Sequence, residues 1–225
     1  MSLPDPGDYI DIHTHHGTHP EKGIFSVVSL MAHEEAGLLP LPGIAYTFGI
    51  HPWHLSASSY EDHISGVRKA AADSRVLAIG EAGFDRLRGP DPELQRKAFE
   101  EQALIAAEHH KPVIVHCVRA WDELLRARKR LRPARPWLVH GFRGSRDLAA
   151  QLISKDMFLS FWFGFIIRPE AGKLIRSLPR ERIFLETDGS GAGIRNIYVK
   201  VSADLDISVS GLKRIIYDNF MDFFG

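Results

Sequence analysis

Short apolar runs rich in β-branched and aromatic residues recur along the chain, and each gives way to a polar segment. The first is Tyr9-Ile10-Asp11-Ile12, which runs into His13-Thr14-His15. Residues 24–30, 44–50, 76–80, 112–115, 137–139, 157–163 and 183–185 repeat the pattern. Most are apolar on both faces, as strands covered on both sides are, and each predicts a buried β-strand. The segments between them carry helix signals. Ser56 or Ser58 can cap a helix that runs to Asp73. Asp91-Pro92-Glu93 combines an N-cap, a proline at the first helical position and an acid in the first turn, and predicts a helix over 91–109. Further helices are predicted over 121–130, 145–155, 169–178, 195–204 and 209–224, with a short one over 31–39 closed by Pro40 and Pro42.

Strands alternating with helices of this length imply an α/β fold with a mostly parallel sheet. Eight strand candidates favour a TIM-type (β/α)8 barrel over an open doubly wound sheet, and no Gly-x-Gly-x-x-Gly follows the first strand. No linker, repeat or low-complexity segment divides residues 1–225, which read as a single barrel domain. One connection breaks the pattern. Only eight residues separate His15 from Ile24, with Gly17, Pro20 and Gly23 among them. A parallel crossover usually takes a dozen or more residues. The spacing therefore predicts a distorted barrel that lacks its first helix, with the second strand antiparallel and the site more open on that flank.

Charge is balanced at 28 basic and 28 acidic residues, so no global field argues for a polyanionic partner. Cys117 is the only cysteine, which rules out an intrachain disulfide and suits a reducing compartment. No run of about 18 apolar residues and no signal segment is found, which leads to the expectation of a cytoplasmic protein with no membrane partner. Nothing indicates a protein partner. The twelve histidines are the compositional oddity.

In a parallel barrel the carboxyl ends of all strands meet at one rim, where sites are built. His13 and His15 alternate along a strand and so project to one side. Glu81, His116, His140 and Asp188 follow later strand-like runs. Imidazoles and carboxylates gathered and desolvated at a barrel mouth are costly unless something compensates them. Metal coordination does so. Six nitrogen and oxygen ligands exceed one tetrahedral site and suit two divalent ions bridged by a carboxylate, with Zn, Mn, Co and Mg all compatible. The basic run Arg126–Arg132 ends the helix after the fifth strand, away from that rim, and reads as a solvated helix end.

Asp-Ile-His-Thr-His at 11–15, Gly-Ile-His-Pro-Trp at 49–53, Ala-Ile-Gly-Glu-Ala-Gly-Phe-Asp at 78–85 and Lys-Pro-Val-Ile-Val-His at 111–116 form an ordered series. Val-His-Gly-Phe-Arg-Gly-Ser at 139–145 and Glu-Thr-Asp at 186–188 complete it. By these motifs the chain resembles the TatD-like metal-dependent DNase family of the amidohydrolase superfamily. The resemblance implies a divalent-metal-dependent phosphodiesterase, a deoxyribonuclease of the 3′-exonuclease type, acting on single-stranded DNA or another phosphodiester. It also implies that His13, His15, Glu81 and Asp188 hold one metal, and Glu81, His116 and His140 the second. The chain departs from the family in its short first connection. It also carries His140-Gly141-Phe142 where His-Cys-Phe is usual, and Asp188-Gly189-Ser190 where Asp-Ala-Pro is usual. The rim that reads substrate is trimmed.

Two such metals would turn a bridging water into a nucleophile, and Asp188 would take its proton. His51 or His54 would bind a phosphate oxygen or protonate the leaving group. Arg119, just after the fifth strand where a family arginine also lies, could clamp phosphate bidentately. Arg143 and Arg195 are further substrate-binding candidates, and Glu186 faces the same side as Asp188 and would orient a ligand from behind. The rival reading keeps the same binuclear site in a small-molecule amidohydrolase, lactonase or phosphoesterase. The mouth arginines favour an anionic phosphodiester.

Overall fold

The structure, a computed structural model, describes residues 3–15, 20–34 and 37–225. Eight strands form: β1 (Tyr9–Thr14), β2 (Ile24–Met31), β3 (Ile44–Gly49), β4 (Val76–Asp85), β5 (Val113–Val118), β6 (Trp137–Val139), β7 (Met157–Trp162) and β8 (Ile183–Glu186). They follow one another in sheet order β1 to β8, the topology of a (β/α)8 barrel. Among the described residues eight α-helices follow β3 and the later strands: α1 (Tyr60–Ala71), α2 (Pro92–Glu108), α3 (Trp121–Leu131), α4 (Arg146–Ile153), α5 (Phe163–Ile166), α6 (Ala171–Arg176), α7 (Ile194–Leu205) and α8 (Val209–Phe224), with two after each of β7 and β8. The chain forms two compact units. The first comprises Met1–Val28, Pro40–Ala45 and His140–Gly225, the second Ser29–Leu39 and Tyr46–Val139.

In the first unit β1 pairs with β2 in parallel, with Tyr9 opposite Ile24, Ile10 opposite Phe25 and Asp11 opposite Ser26. This corrects the expected antiparallel second strand. Ten Cα–Cα steps join Thr14 to Ile24, and at about 3.3–3.6 Å each they reach roughly 35 Å. Returning along a six-residue strand takes only about 17 Å, plus one interstrand spacing of about 4.8 Å. An extended connection is therefore long enough without a helix, and among the described residues none lies between β1 and β2. At the other end of the order, β8 lies beside β1. The Asp188 amide donates to the His13 carbonyl at 3.1 Å, and Thr187 donates from its amide and its hydroxyl to the buried Asp11 carboxylate at 2.9 and 2.6 Å. First and last strands thus meet. The α7 and α8 helices cover them: Tyr198 bonds the backbone of Ile10, and the Asn219 amide reaches the carbonyls of Arg180 and Ile183. Phe223 packs edge to face on both Phe158 and Phe184, whose own rings are tilted by 33° to each other.

In the second unit β3, β4, β5 and β6 are parallel neighbours. β4 continues five residues past Gly80, so Glu81 lies inside the strand rather than after it. Gly83 makes this possible: a Cβ there would sit 1.9 Å from the His116 carbonyl oxygen, so only glycine lets β4 and β5 close up. Asp91 caps α2 by accepting from the Glu93 amide at 2.8 Å, and Gln102 of that helix ties down both backbone groups of Ile50. The predicted helix over 31–39 does not form among the described residues. Met31 instead extends β2, where the Ala32 amide donates to the Gly49 carbonyl at 2.8 Å, and a turn closed by Glu34 follows. Glu35 and Ala36 lie outside the described residues. The basic run of α3 is spent locally, but not all of it is the solvated helix end expected, because Arg128 is buried. Arg128 is buried over Trp137 and bonds the Arg135 carbonyl, Arg126 pairs with Asp122, and Arg130 with Glu100.

Candidate metal centre

The first unit gathers His13, His15 and Asp188 where β1 and β8 end side by side. His13 is fully buried on β1, and His15, one step past the strand, is partly open. Asp188 follows β8 with a left-handed backbone, φ 49°, a conformation that aspartate adopts more readily than most residues. That turn aims Oδ1 at both rings, 3.9 Å from His13 Nε2 and 3.6 Å from His15 Nε2. The His140 ring lies against that of His13 with centroids 4.3 Å apart. Behind it, Glu186 is completely buried at the end of β8. Its carboxylate accepts from the Gly141 amide at 2.6 Å and the Ser160 hydroxyl at 2.5 Å, and lies 3.7 Å from His140 Nδ1. Glu186, expected to orient a ligand, thus bonds the Gly141 amide and Ser160 and faces His140. Two residues ahead of His13, burial pushes the Asp11 carboxyl up to about 7, against the Thr187 hydrogen bonds that pull it down.

The second unit gathers His51, Glu81 and His116, all buried. His51 follows β3 and caps the short turn Pro52–His54, its Nδ1 accepting from the Trp53 amide at 3.1 Å. A neutral imidazole accepting at Nδ1 carries its proton on Nε2. That nitrogen lies 3.1 Å from Glu81 Oε1 and so donates to it. His116 contacts Glu81 Oε1 through Nδ1 at 2.7 Å, while its Nε2 lies 3.3 Å from Asp85 Oδ2. If Nε2–H donates to Asp85, the Nδ1 lone pair faces the Glu81 carboxylate, and a cation between the two would satisfy both. Asp85 also accepts from Trp53 Nε1 at 2.6 Å and from the Leu87 and Arg88 amides. Burial pushes its carboxyl up, but these bonds together outweigh burial and hold it below its ordinary value.

Both donor sets suit a hard or borderline divalent ion. Nitrogen and oxygen ligands at about 2.0–2.2 Å from one ion lie at most about 4.4 Å from each other. The donor separations, 3.6–3.9 Å to Asp188 in the first unit and 2.7–3.2 Å around Glu81 in the second, fall within that limit.

The expected substrate-binding residues are more scattered. Arg119 stands exposed just past β5, with φ 53°. His54 stacks on His33 with centroids 3.9 Å apart, and partial burial, with His33 beside it, lowers its basicity. Arg143 is exposed at the start of the turn into α4. Arg195 turns elsewhere: it pairs with Glu21 at 3.0 Å, bonds the Lys22 carbonyl and lies over the Tyr9 ring. Sequence reasoning missed Asp85, although its motif was quoted. Its partners Trp53 and His116 lie more than thirty residues to either side and meet it only in the fold.

The sequence model described as TatD related DNase matches residues 31–225. The 3′-5′ ssDNA/RNA exonuclease TatD of Erwinia tasmaniensis is 34% identical over 154 residues, 63% of this chain and 56% of that protein. This chain thus spans a little over half the length of that relative. Among solved structures, YjjV, a TatD homologue of Escherichia coli K12, superposes with a TM-score of 0.83 at 23% identity, over 98% of this chain and 99% of that one. A TatD-family hydrolase of Entamoeba histolytica gives a TM-score of 0.77 at 18% identity, over 99% of each chain.

Proposed function

The chain belongs to the TatD-related DNase family, and on that premise we propose that it is a divalent-metal-dependent phosphodiesterase that removes nucleotides from the 3′ end of single-stranded DNA or RNA. The relative named as a 3′-5′ ssDNA/RNA exonuclease supports the substrate class. The observation that carries the reading is the donor chemistry: each unit offers a set of imidazole and carboxylate groups within one ion's reach, and no thiolate. We propose two ions held by His13, His15, Glu81, His116, His140 and Asp188, with residues 1–225 working as one domain. The lone Cys117 supports work in the cytoplasm. Among the described residues, no helix is long and apolar enough to cross a membrane.

Bound divalent ions supply positive charge beside the scissile phosphate and acidify water. The chain's own groups do the rest. Asp188, about a quarter exposed and turned toward the two histidines, accepts the proton of the attacking water. Glu186 holds His140, and Asp85 holds His116 together with the Trp53 turn. His51, with Nε2 3.1 Å from Glu81 Oε1, is placed as a positioning and proton-donating group. Arg119, exposed past β5, is placed to take a phosphate oxygen.

The test is a substrate panel of phosphodiesters, phosphomonoesters and lactones, run with Mn, Zn, Co or Mg added to the chelator-treated protein. Hydrolysis of phosphodiesters above the other classes is expected. Preference for a lactone or another small neutral ester would replace this reading with the amidohydrolase one.

A further inference from the structure

Beyond β6 the chain leaves His140 through Gly141 and Phe142 to Arg143, and beyond β7 it folds into α5 and α6. Together these segments line an open cleft of about 320 Å³ that none of the proposed metal ligands lines. Phe165 and Leu174 form its apolar floor, and Arg143, Arg146 and Lys173 stand on its walls. Arg168 lies over the Phe165 ring at 6.0 Å. Glu170 is the single carboxylate in the lining. None of these four cations has an acidic partner among the described residues, whereas Arg75, Arg96, Arg182 and Arg195 are all paired. In a chain of balanced charge, cations gathered without acids leave a local positive potential that an anion would relieve.

We infer that this cavity is a strand subsite: it takes the phosphate of a nucleotide further along the single strand than the one being removed, with the sugar and base edge against Phe165 and Leu174. The inference rests on the single-strand reading above and deepens it. The volume lies at the lower end of small-ligand sites, about 300–1,000 Å³, which gives room for a single nucleotide. Guanidinium groups match phosphate oxygens two at a time, and an ammonium adds a point charge. The location favours it too. Arg143 lies three residues beyond His140, so the cavity begins close along the chain to a proposed metal ligand.

The experiment measures binding of fluorescein-labelled dT10 to chelator-treated protein by anisotropy across about 50 to 200 mM salt. Each phosphate neutralised on a single strand contributes about 0.7 to the slope of log affinity against log salt. Arg146→Ala and Lys173→Ala are each expected to weaken binding several-fold and to flatten the slope by about 0.7. Arg146→Lys should restore most of the slope. With metal added, KM for dT10 should rise by more than kcat falls. Both residues are exposed, and an unchanged melting temperature confirms that the variants fold. If wild type binds and cleaves dT10 while both alanine variants keep its affinity and slope, the subsite is overturned and the nuclease reading stands. If the variants lose only inorganic phosphate binding, the cavity is a small-anion site and the strand proposal falls. If wild type neither binds nor cleaves dT10, both readings fall.

Discussion

Replacing Glu186 by glutamine tests how the first unit holds His140. The change is isosteric and removes only the negative charge. Glu186 is fully buried and accepts from the Gly141 amide and the Ser160 hydroxyl while it faces His140 Nδ1. An amide has one carbonyl oxygen for these donors, and its NH2 must face the other. The Ser160 hydroxyl can turn to accept from that NH2, but hydrogen bonds to a charged group contribute about 1.5–3 kcal/mol against about 0.5–1.5 for neutral ones, so losing the charge weakens both contacts. A loss of about 2 kcal/mol lowers the melting temperature of a chain this size by about 4–8 °C. His140 would also lose the negative charge that faces its Nδ1 at 3.7 Å, and such outer partners typically alter metal affinity by about 10–100-fold. Calorimetric metal titration of the chelator-treated protein, beside its thermal melt, reads both numbers. Wild-type metal affinity in Glu186→Gln would refute the reasoning, and a lower melting temperature alone would reduce Glu186 to a structural tie.

Other outcomes follow from the same geometry. Glu81→Gln should lower bound metal, counted by atomic absorption, by more than any single histidine-to-alanine change does, because a bridging carboxylate answers to two ions; an unchanged count would exclude bridging. The hydrogen bonds from Arg75 hold the Asp73 carboxyl at about 2, below its ordinary 3.8. A depressed carboxylate adds stability above its unfolded value and loses it as pH falls through the folded one. Asp73→Asn should therefore cost a surface-pair amount, about 0.2–1 kcal/mol, at neutral pH, with the gap to wild type closing as pH drops from about 4 toward 2 in urea melts. A gap that persists at pH 2 would contradict this.

Much of the fold was legible because apolar strand runs and capped helices are local signals. Asp91 and Ser145 cap the helices that they were expected to cap. The polarity of β2 was not legible, because the length of its connection forbids a helix but not a parallel return. The short helix expected over 31–39 failed because its apolar residues had a sheet neighbour: Met31 joins β2, and the next amide pairs with Gly49. Among candidate site residues, the placement of His13 and His15 side by side was readable from a two-residue spacing, and that of Glu186 from its alternation with Asp188. His51 was harder. Its hydrogen bond to Glu81 depends on β3 and β4 being neighbours, and its tautomer on a turn amide two residues away. Arg195 looked like a rim cation by position, yet Glu21 and Tyr9 hold it.

The central claim is metal-dependent hydrolysis of single strands from the 3′ end, with Asp188 as the proton acceptor. It is tested most directly by digesting a 5′-labelled single-stranded oligonucleotide and resolving the products by length. Chelator-treated protein should leave the strand intact. Restoring a divalent metal should produce a ladder that shortens one nucleotide at a time from the 3′ end. Asp188→Asn, folded and assayed with the same metal, should slow that ladder by about a hundredfold or more. Products formed without metal, or a ladder of wild-type speed from Asp188→Asn, would contradict the account.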